Sequence, residues 1–401
     1  MKVLVIGGGA SGMMAALTAA EDPRNQVILL ERQSRVGRKL LATGNGRCNL
    51  TNLHADPSHY HGADPDFVRH ALESFSVEDT LAFFRRLGLL TTAEESGKVY
   101  PFSDQANSVV DVLRFALEHS GVEVRCGCEI LSIGKKARGY SAKTAEESFY
   151  GDKLILACGG AAGAKLGGTE LGYQLLQSMG HHRTAIRPSL VQIKTDVSAT
   201  RSLKGVRADA GLTLKRDGAT VATNTGEVQF TDFGISGPAI FELSREVAQG
   251  GNQVLLLDLL RPISEAELLQ YLLQKQQRMP RLPLEDYLTG ILHNRLGKVV
   301  LKQAGFDLSR TAETLTVSEQ KTICHQIKFF PLTVTGVMGL EQAQVTAGGI
   351  KTSEFRPDTL ESRLCPGLFA TGEVLDIDGD CGGYNLQWAW SSGRLAGKLG
   401  T

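Results

Sequence analysis

The sequence predicts an α/β protein: a Rossmann-type domain made from the two ends of the chain, interrupted by a mostly β, barrel-like domain with a small helical insert. Three observations predict it. A strand, a glycine turn and a helix open the chain in the order that a dinucleotide-binding fold requires. From about Ser189 the texture changes to short strands separated by turn signals such as Asp217-Gly218 and Asn224-Thr225-Gly226. From about residue 331 the chain returns to strands that end in glycine turns. The expected division is therefore 1–189 with 331–401, then 190–261 for the β unit and 262–330 for the helical insert. A chain of 401 residues exceeds one ordinary core, so more than one domain is required.

Lys2 to Ile6 (KVLVI) is a short apolar run suited to a buried parallel strand. It leads into Gly7-Gly8-Gly9-Ala10-Ser11-Gly12 and then into the helical MMAALTAAED. Gly7, Gly9 and Gly12 satisfy G-x-G-x-x-G in its required setting. Gly7 makes the tight turn, Gly9 lets the backbone approach a pyrophosphate, and Gly12 lets helix and strand pack closely. The helix N-terminus offers N–H groups and partial positive charge to the anion. A basic residue followed by an apolar run also resembles a secretory signal, but three consecutive glycines break up the apolar core such a signal needs.

The second strand, Gln26 to Leu30 (QVILL), ends at Glu31, the position where a dinucleotide fold places its ribose ligand roughly 20 residues past the glycines. Arg32 to Asn52 then reads RQSRVGRKLLATGNGRCNLTN, a long loop of glycines among Arg, Asn and Thr. A simple NAD domain returns to helix soon after its acidic residue. This loop suits a longer ligand, running from phosphates to a flavin ring, because loops of this length in compact domains tend to be functional.

Ser108 to Ser120 has helical spacing, VEVRCGCEILSI reads as strand, and Lys153 to Gly160 (KLILACGG) is a strand running into a glycine turn at Gly159. That turn is not a second G-x-G-x-x-G, so one dinucleotide is expected to be held tightly. Beyond the β unit, Ser264-x-x-Glu267 is a capping box before LLQYLLQKQQ. AQVTAGG and GLFATG read as strands of the completed nucleotide domain.

Charge is balanced, 43 basic against 43 acidic residues, which argues against a nucleic-acid or membrane partner because both call for a net basic face. Seven cysteines, an odd number without an even framework of spacings, fit a reducing cytoplasm. Cys126-x-Cys128 has no following His or Cys pair at zinc spacing, so no metal site is expected.

GGGASG, GRKLLATGNGRCNLTN, TDFGISGPA, VTAGGI with TLES, and GLFATGEVLDIDGDCGGYNLQWAWSSGRLAG together resemble one family, spread from Gly7 to Gly397. It is the bacterial flavoproteins called YhiN-like, aminoacetone-oxidase-like or dehydro-bile-acid-reductase-like, more distantly similar to fumarate-reductase flavoprotein subunits. The resemblance implies a glutathione-reductase-like FAD domain, a β-barrel-like domain and a helical insert, with FAD bound non-covalently. Carried over, Gly7, Gly9, Ser11 and Gly12 hold the pyrophosphate and Glu31 the adenosine ribose. Arg38, Lys39, Thr43, Gly44, Asn45 and Gly46 run along the phosphates toward the flavin. Ile130 meets the adenine through its backbone, and Gly159 turns past the cofactor. Gly372, Glu373 and Asp376 approach the ribityl chain, and Gly383, Tyr384, Asn385 and Leu386 the pyrimidine edge. Amides at a helix N-terminus there would stabilise the negative charge of reduced flavin. Trp388 and Trp390, one residue apart, are expected as the packing face of that helix. Cys158 and the GGAAGAKLGGTELG turn depart from the family pattern, as does Cys381.

The expected activity is hydride transfer between flavin N5 and a small organic substrate, with Arg47, Asn49, Tyr384 and Asn385 as candidates for the substrate side. Two chemistries stay open: reduction of an unsaturated carbonyl with NAD(P)H as transient donor, or O2-dependent oxidation of an amine or alcohol. A non-catalytic flavin protein that senses redox state is the alternative of another class. Cys48 is expected to be a small buried residue, and His181-His182 to decorate a helix end.

Overall fold

A computed structural model describes residues 1–400 of the chain. They fall into two compact units, Met1–Arg187 with Gln344 onward, and Pro188–Ala343.

The first unit opens with β1 (Lys2–Ile6), α1 (Ala10–Ala19) and β2 (Gln26–Glu31). It continues through α2 (Val77–Arg86), α3 (Ala106–His119), β3 (Glu123–Cys126) and β4 (Lys153–Leu156). The sheet is parallel, ordered Leu368–Ala370, β4, β1, β2, β3. Val3 to Val5 and Leu154 to Leu156 are fully buried, as strands covered on both faces must be, which explains their continuous rather than alternating apolar sequence. Ile6 pairs with Leu30 and Leu156, so β1, β2 and β4 end at one level, and ligands of open α/β sheets bind beyond such carboxyl ends. Smaller antiparallel pieces lie in the same unit. Thr51–Asn52, Lys98–Pro101 and Thr91–Ala93 make one, and Tyr60–His61 with Asp378–Gly379 another.

The second unit is a closed antiparallel barrel. Its strands are β5 (Ile193–Thr195), β6 (Arg207–Arg216), β7 (Ala219–Phe230), β8 (Gly234–Ser236), β9 (Gln253–Asp258) and β10 (Phe330–Val337), in the order β5-β8-β7-β6-β9-β10. Along β6, Ala210, Leu212 and Leu214 point inward at the strand's period of two. Asp217 and Gly218 both take positive φ, +50° and +87°, the conformation a two-residue hairpin turn needs between β6 and β7.

Between β9 and β10 come α4 (Glu265–Arg278), α5 (Asn294–Gln303) and α6 (Val317–Lys328). Their apolar faces (Leu268, Leu272, Val300, Ile323, Ile327) join Leu212, Leu255, Phe330 and Leu332 of the barrel in one core. The helices therefore share the barrel's core. The return to the nucleotide unit also comes later than residue 331, because β10 is needed to close the barrel between β5 and β9.

The chain then completes the first unit with β11 (Leu368–Ala370) and α7 (Tyr384–Gly397). Among the described residues no helix is long and apolar enough to cross a membrane, and no group of His, Cys, Asp and Glu is arranged to hold a metal ion.

Candidate functional site

The turn from β1 to α1 is shaped by contact. A Cβ at Gly7, where φ is +107°, would strike the Ala157 carbonyl at the end of β4, and one at Gly12 would strike the Gly7 carbonyl. At Gly9 a Cβ would meet nothing within 4 Å. Gly7 and Gly12 are thus glycines for packing, while Gly9 faces open space. Gly9 is also the N-cap of α1, with no side-chain cap and no acidic residue in the first turn, so the helix presents open N–H groups there.

Around this turn the expected ligands are arranged by their own bonds. Glu31, buried at the end of β2, accepts from Gly8 N–H at 2.6 Å and from Gln33 N–H at 2.7 Å. Arg38 donates to the Gln33 side chain at 2.7 Å. Lys39 Nζ pairs with Glu373 Oε2 at 2.7 Å, and Glu373 Oε1 accepts from Thr346 N–H at 2.9 Å. Gly372 abuts Ser11, and Gly160 abuts Glu373, so the turns after β4 and β11 both reach the head of α1. Gly159, at φ +70°, faces open space like Gly9. Ile130 is buried, and Asp376 Oδ2 accepts from Ala63 N–H at 3.3 Å.

The loop from Thr43 to Cys48 is wound by left-handed residues, Gly44 (+56°), Asn45 (+57°), Gly46 (+85°) and Cys48 (+60°). Thr43 Oγ1 donates to the Leu40 carbonyl at 2.7 Å, and Cys48 N–H to the Thr43 carbonyl at 3.0 Å. Burial pushes the Cys48 thiol up to about 12, so it is a small packed residue and not a thiolate. Arg47 leaves this loop to stack 4.0 Å over Tyr100, with Asp104 at 2.5 Å and Glu94 at 3.4 Å. Arg47, expected on the substrate side, thus carries two carboxylate partners of its own.

The segment after this loop meets α7, more than 300 positions away. Asn52 Nδ2 donates to the Gly382 carbonyl at 2.9 Å, and Trp390 Nε1 to the Leu50 carbonyl at 2.9 Å. Thr51 Oγ1 donates to Gln387 Oε1 at 2.6 Å, and Gln387 Nε2 reaches Thr80 and Ser391 at 2.9 Å. Both tryptophans are core: Trp390 meets Phe84 edge-on and Trp388 meets Phe67 edge-on. Trp390 ties α7 to Leu50 of GRCNLTN.

That head is built from Gly382 (φ +136°) and Gly383 (φ +103°). A Cβ on Gly383 would strike the Thr51 carbonyl. Gly383 caps α7 with no side chain, and again no acidic residue lies in the first turn. Beside it, Asn49 is buried with its Oδ1 lacking any hydrogen-bond partner. A buried carbonyl oxygen left without a donor costs free energy unless a ligand supplies one. Open helix amides together with an orphan acceptor suit a planar ring with both an electron-rich carbonyl and an N–H, as a flavin pyrimidine has. A pyrophosphate suits the opening at Gly9, and a ribose suits Glu31. The residues present fit FAD.

Tyr384 and Asn385 open α7. Asn385 is occupied in positioning: its Oδ1 accepts from Gly379 N–H at 2.8 Å and its Nδ2 donates to the Gly379 carbonyl at 2.7 Å. The Tyr384 ring is buried against His59, centroids 4.2 Å apart and nearly parallel. Asp380 binds two histidines, His59 Nδ1 at 2.9 Å and His61 Nε2 at 2.7 Å. Burial acts to raise the Asp380 pKa, but bonds from His61 and His59 outweigh it and hold the carboxyl below its usual range. The sequence reading missed this cluster. Its signal was there: the H-x-H of His59 and His61 places two imidazoles on one side of extended chain. His181 and His182 do sit past a helix end, and both bind Glu354, at 3.0 and 2.7 Å.

The chain matches the HI0933-like protein Rossmann domain over residues 1–399. It is 40% identical to a 3-dehydro-bile acid delta(4,6)-reductase of Clostridium scindens, over 99% of this chain and 98% of that protein. It is 31% identical to a ribosomal RNA dihydrouridine synthase of Escherichia coli, over 97% of this chain and 95% of that one. Among solved structures it is similar to the open conformation of a flavocytochrome c3 fumarate reductase, at 16% identity and a TM-score of 0.47, covering 100% of this chain and 78% of the other.

Proposed function

The chain belongs to the HI0933-like Rossmann family, and from that premise we propose that this FAD-dependent oxidoreductase reduces a carbon–carbon double bond conjugated to a carbonyl in a small organic substrate. FAD is held without a covalent bond, and NAD(P)H is the electron donor. One observation carries the choice of reaction: 40% identity along 99% of the chain to a reductase of an unsaturated 3-oxo bile acid. The cofactor, when bound, supplies a hydride equivalent. The protein's own part is to bind, orient and protonate. Gly9 and Ser11 take the pyrophosphate on the turn that Gly7 and Gly12 shape by close packing, and Glu31 takes the ribose. Arg38, Lys39, Thr43 to Gly46, Ile130, Gly159, Gly372, Glu373 and Asp376 line the remainder. Gly383 to Leu386 face the pyrimidine edge with open amides, which favours the anionic reduced ring. Asn49 accepts from the ring's N–H, and Arg47 and Asn385 fix the loops that carry the site.

Purified protein should be yellow, and acid precipitation should leave the colour in the supernatant. Anaerobic NADH or NADPH should bleach the flavin band, and a 3-oxo-4-ene steroid should restore it. A protein that stays reduced with every enone, yet is reoxidised by O2 while turning over amines, would overturn the reading in favour of an oxidase. A second reading takes uridine in RNA as the conjugated substrate, because the relative at 31% identity is a ribosomal RNA dihydrouridine synthase. The balance of 43 basic and 43 acidic residues favours the small molecule. Reoxidation by ribosomal RNA but not by the steroid would reverse that preference.

A further inference from the structure

We propose that His59, held by Asp380, is the catalytic acid of this reaction; the inference rests on the reductase reading above. The cluster is built for one orientation. Tyr60–His61 pairs antiparallel with Asp378–Gly379, and Asp380 N–H donates to the His59 carbonyl at 3.0 Å, so the backbone sets His59 opposite Asp380. An ionised carboxylate only accepts hydrogen bonds, so His59 Nδ1 and His61 Nε2 must both carry protons toward it. With Nδ1 committed, His59 exchanges protons through Nε2 alone. The ring cannot swing away, because its face lies 4.2 Å from that of Tyr384, the first residue of α7. The side chain is still 31% exposed, so water can recharge it. A fixed imidazole with a carboxylate behind one nitrogen, beside open helix amides, is the arrangement of a general acid.

The groups around His59 are Asp380, Asp56, Tyr60 and Tyr384; those around Asp380 are His59, His61 and Tyr60. Burial pushes the Tyr60 hydroxyl well above its ordinary range, so it stays a proton-bearing donor to the Tyr384 carbonyl at 3.0 Å.

The step balances. FAD in its reduced form would supply the hydride that forms a C–H bond at the β-carbon, and the carbon–carbon π pair would move onto the carbonyl oxygen as an enolate. The Nε2–H bond of protonated His59 breaks, a C–H bond forms at the α-carbon, and neutral His59 takes a proton from water. The substrate gains two electrons and two hydrogens, and the cofactor is oxidised.

His59→Phe keeps a ring stacked on Tyr384 and removes the acid, and Asp380→Asn keeps the shape and removes the charge. Each variant, reduced by dithionite, would be mixed anaerobically with a 3-oxo-4-ene steroid and its reoxidation followed across pH 5 to 8. Wild-type rates should fall as pH rises, because only an imidazole that carries its Nε2 proton can act as the acid. His59→Phe should lose about 10²-fold or more and become flat with pH, and Asp380→Asn should lose less. For His59→Phe, FAD affinity and reoxidation by O2 should match wild type, which a merely structural role would not allow; Asp380→Asn also turns one acceptor into a donor and is read only through its rate and pH profile. If His59→Phe keeps both rate and pH profile while wild type reduces the steroid, the inference falls and the reductase reading stands. The same holds if Tyr384→Phe, not His59→Phe, flattens the profile. If wild type reduces no conjugated acceptor, the reading falls and takes the inference with it.

Discussion

Helices α4 and α6 of the barrel unit and the two glycine-headed helices of the nucleotide unit, α1 and α7, solve the same problem in opposite ways. Every helix N-terminus leaves N–H groups without partners. In the barrel unit, α4 and α6 close theirs with complete capping boxes, Ser264 with Glu267 and Thr316 with Glu319. In the nucleotide unit, α1 and α7 begin at Gly9 and Gly383, with neither a capping side chain nor an acidic first turn. Nor does the nucleotide unit lack the means, since α2 is capped by Ser76 and Asp79. An uncapped start is not by itself a ligand site, since α3 and the barrel unit's helix Pro238–Val247 also lack a capping side chain and an acidic first turn. At α1 and α7 the open N-terminus coincides with a second feature, the open space at Gly9 and the unpartnered Asn49 oxygen beside Gly383.

The comparison breaks most severely at Gly12 and Gly383. Gly12→Val or Gly383→Val would drive a side chain into a backbone carbonyl. Either should lower FAD affinity by more than a hundredfold and reduce the melting temperature, measured by flavin fluorescence and thermal unfolding. Gly9→Ala separates ligand from fold. Its Cβ meets open space in the protein and Gly9 has an ordinary φ of −79°, so apoprotein melting should hold or rise slightly. FAD affinity should nevertheless fall at least tenfold if the pyrophosphate fills that opening. Unchanged affinity would remove the phosphate from the head of α1.

Glu31→Gln comes next. One carboxylate oxygen becomes a donor, so the side chain can no longer accept from both Gly8 and Gln33. A loss of about 1–3 kcal/mol follows for the unmade bond, seen in apoprotein stability as well as in FAD binding.

The smallest effects belong to the capped helices. Thr316→Ala or Ser264→Ala should cost about 1 kcal/mol of unfolding free energy and leave FAD affinity unchanged. Glu319 adds a pH signature. Its bond to Arg310 at 2.8 Å, with the Thr316 N–H, holds its carboxyl at about 2 against an ordinary 4.5. A depressed folded pKa gives stability that is present above the unfolded value and lost as pH falls from about 4.5 to about 2. Glu319→Gln should flatten unfolding curves in that window and nowhere else, measured with urea at fixed salt.

Local sequence determined much here. The apolar runs of β1, β2 and β4, the glycine turn, the Asp217-Gly218 hairpin and the Ser264 capping box are each written within a few residues, because their causes act between chain neighbours. The barrel's extent was not, since β10 lies beyond three helices and its only requirement is a gap between β5 and β9. Nor could one-dimensional reading see that Asn52, Thr51 and Leu50 bond to Gly382, Gln387 and Trp390, which turns two separate motifs into one wall. Nor could it see that folding sets Asp104 and Glu94 against Arg47. His59, His61 and Asp380 complete the contrast. A hydrogen bond acts over about 3 Å, so no residue type announces a partner 320 positions away until the fold has brought the two together.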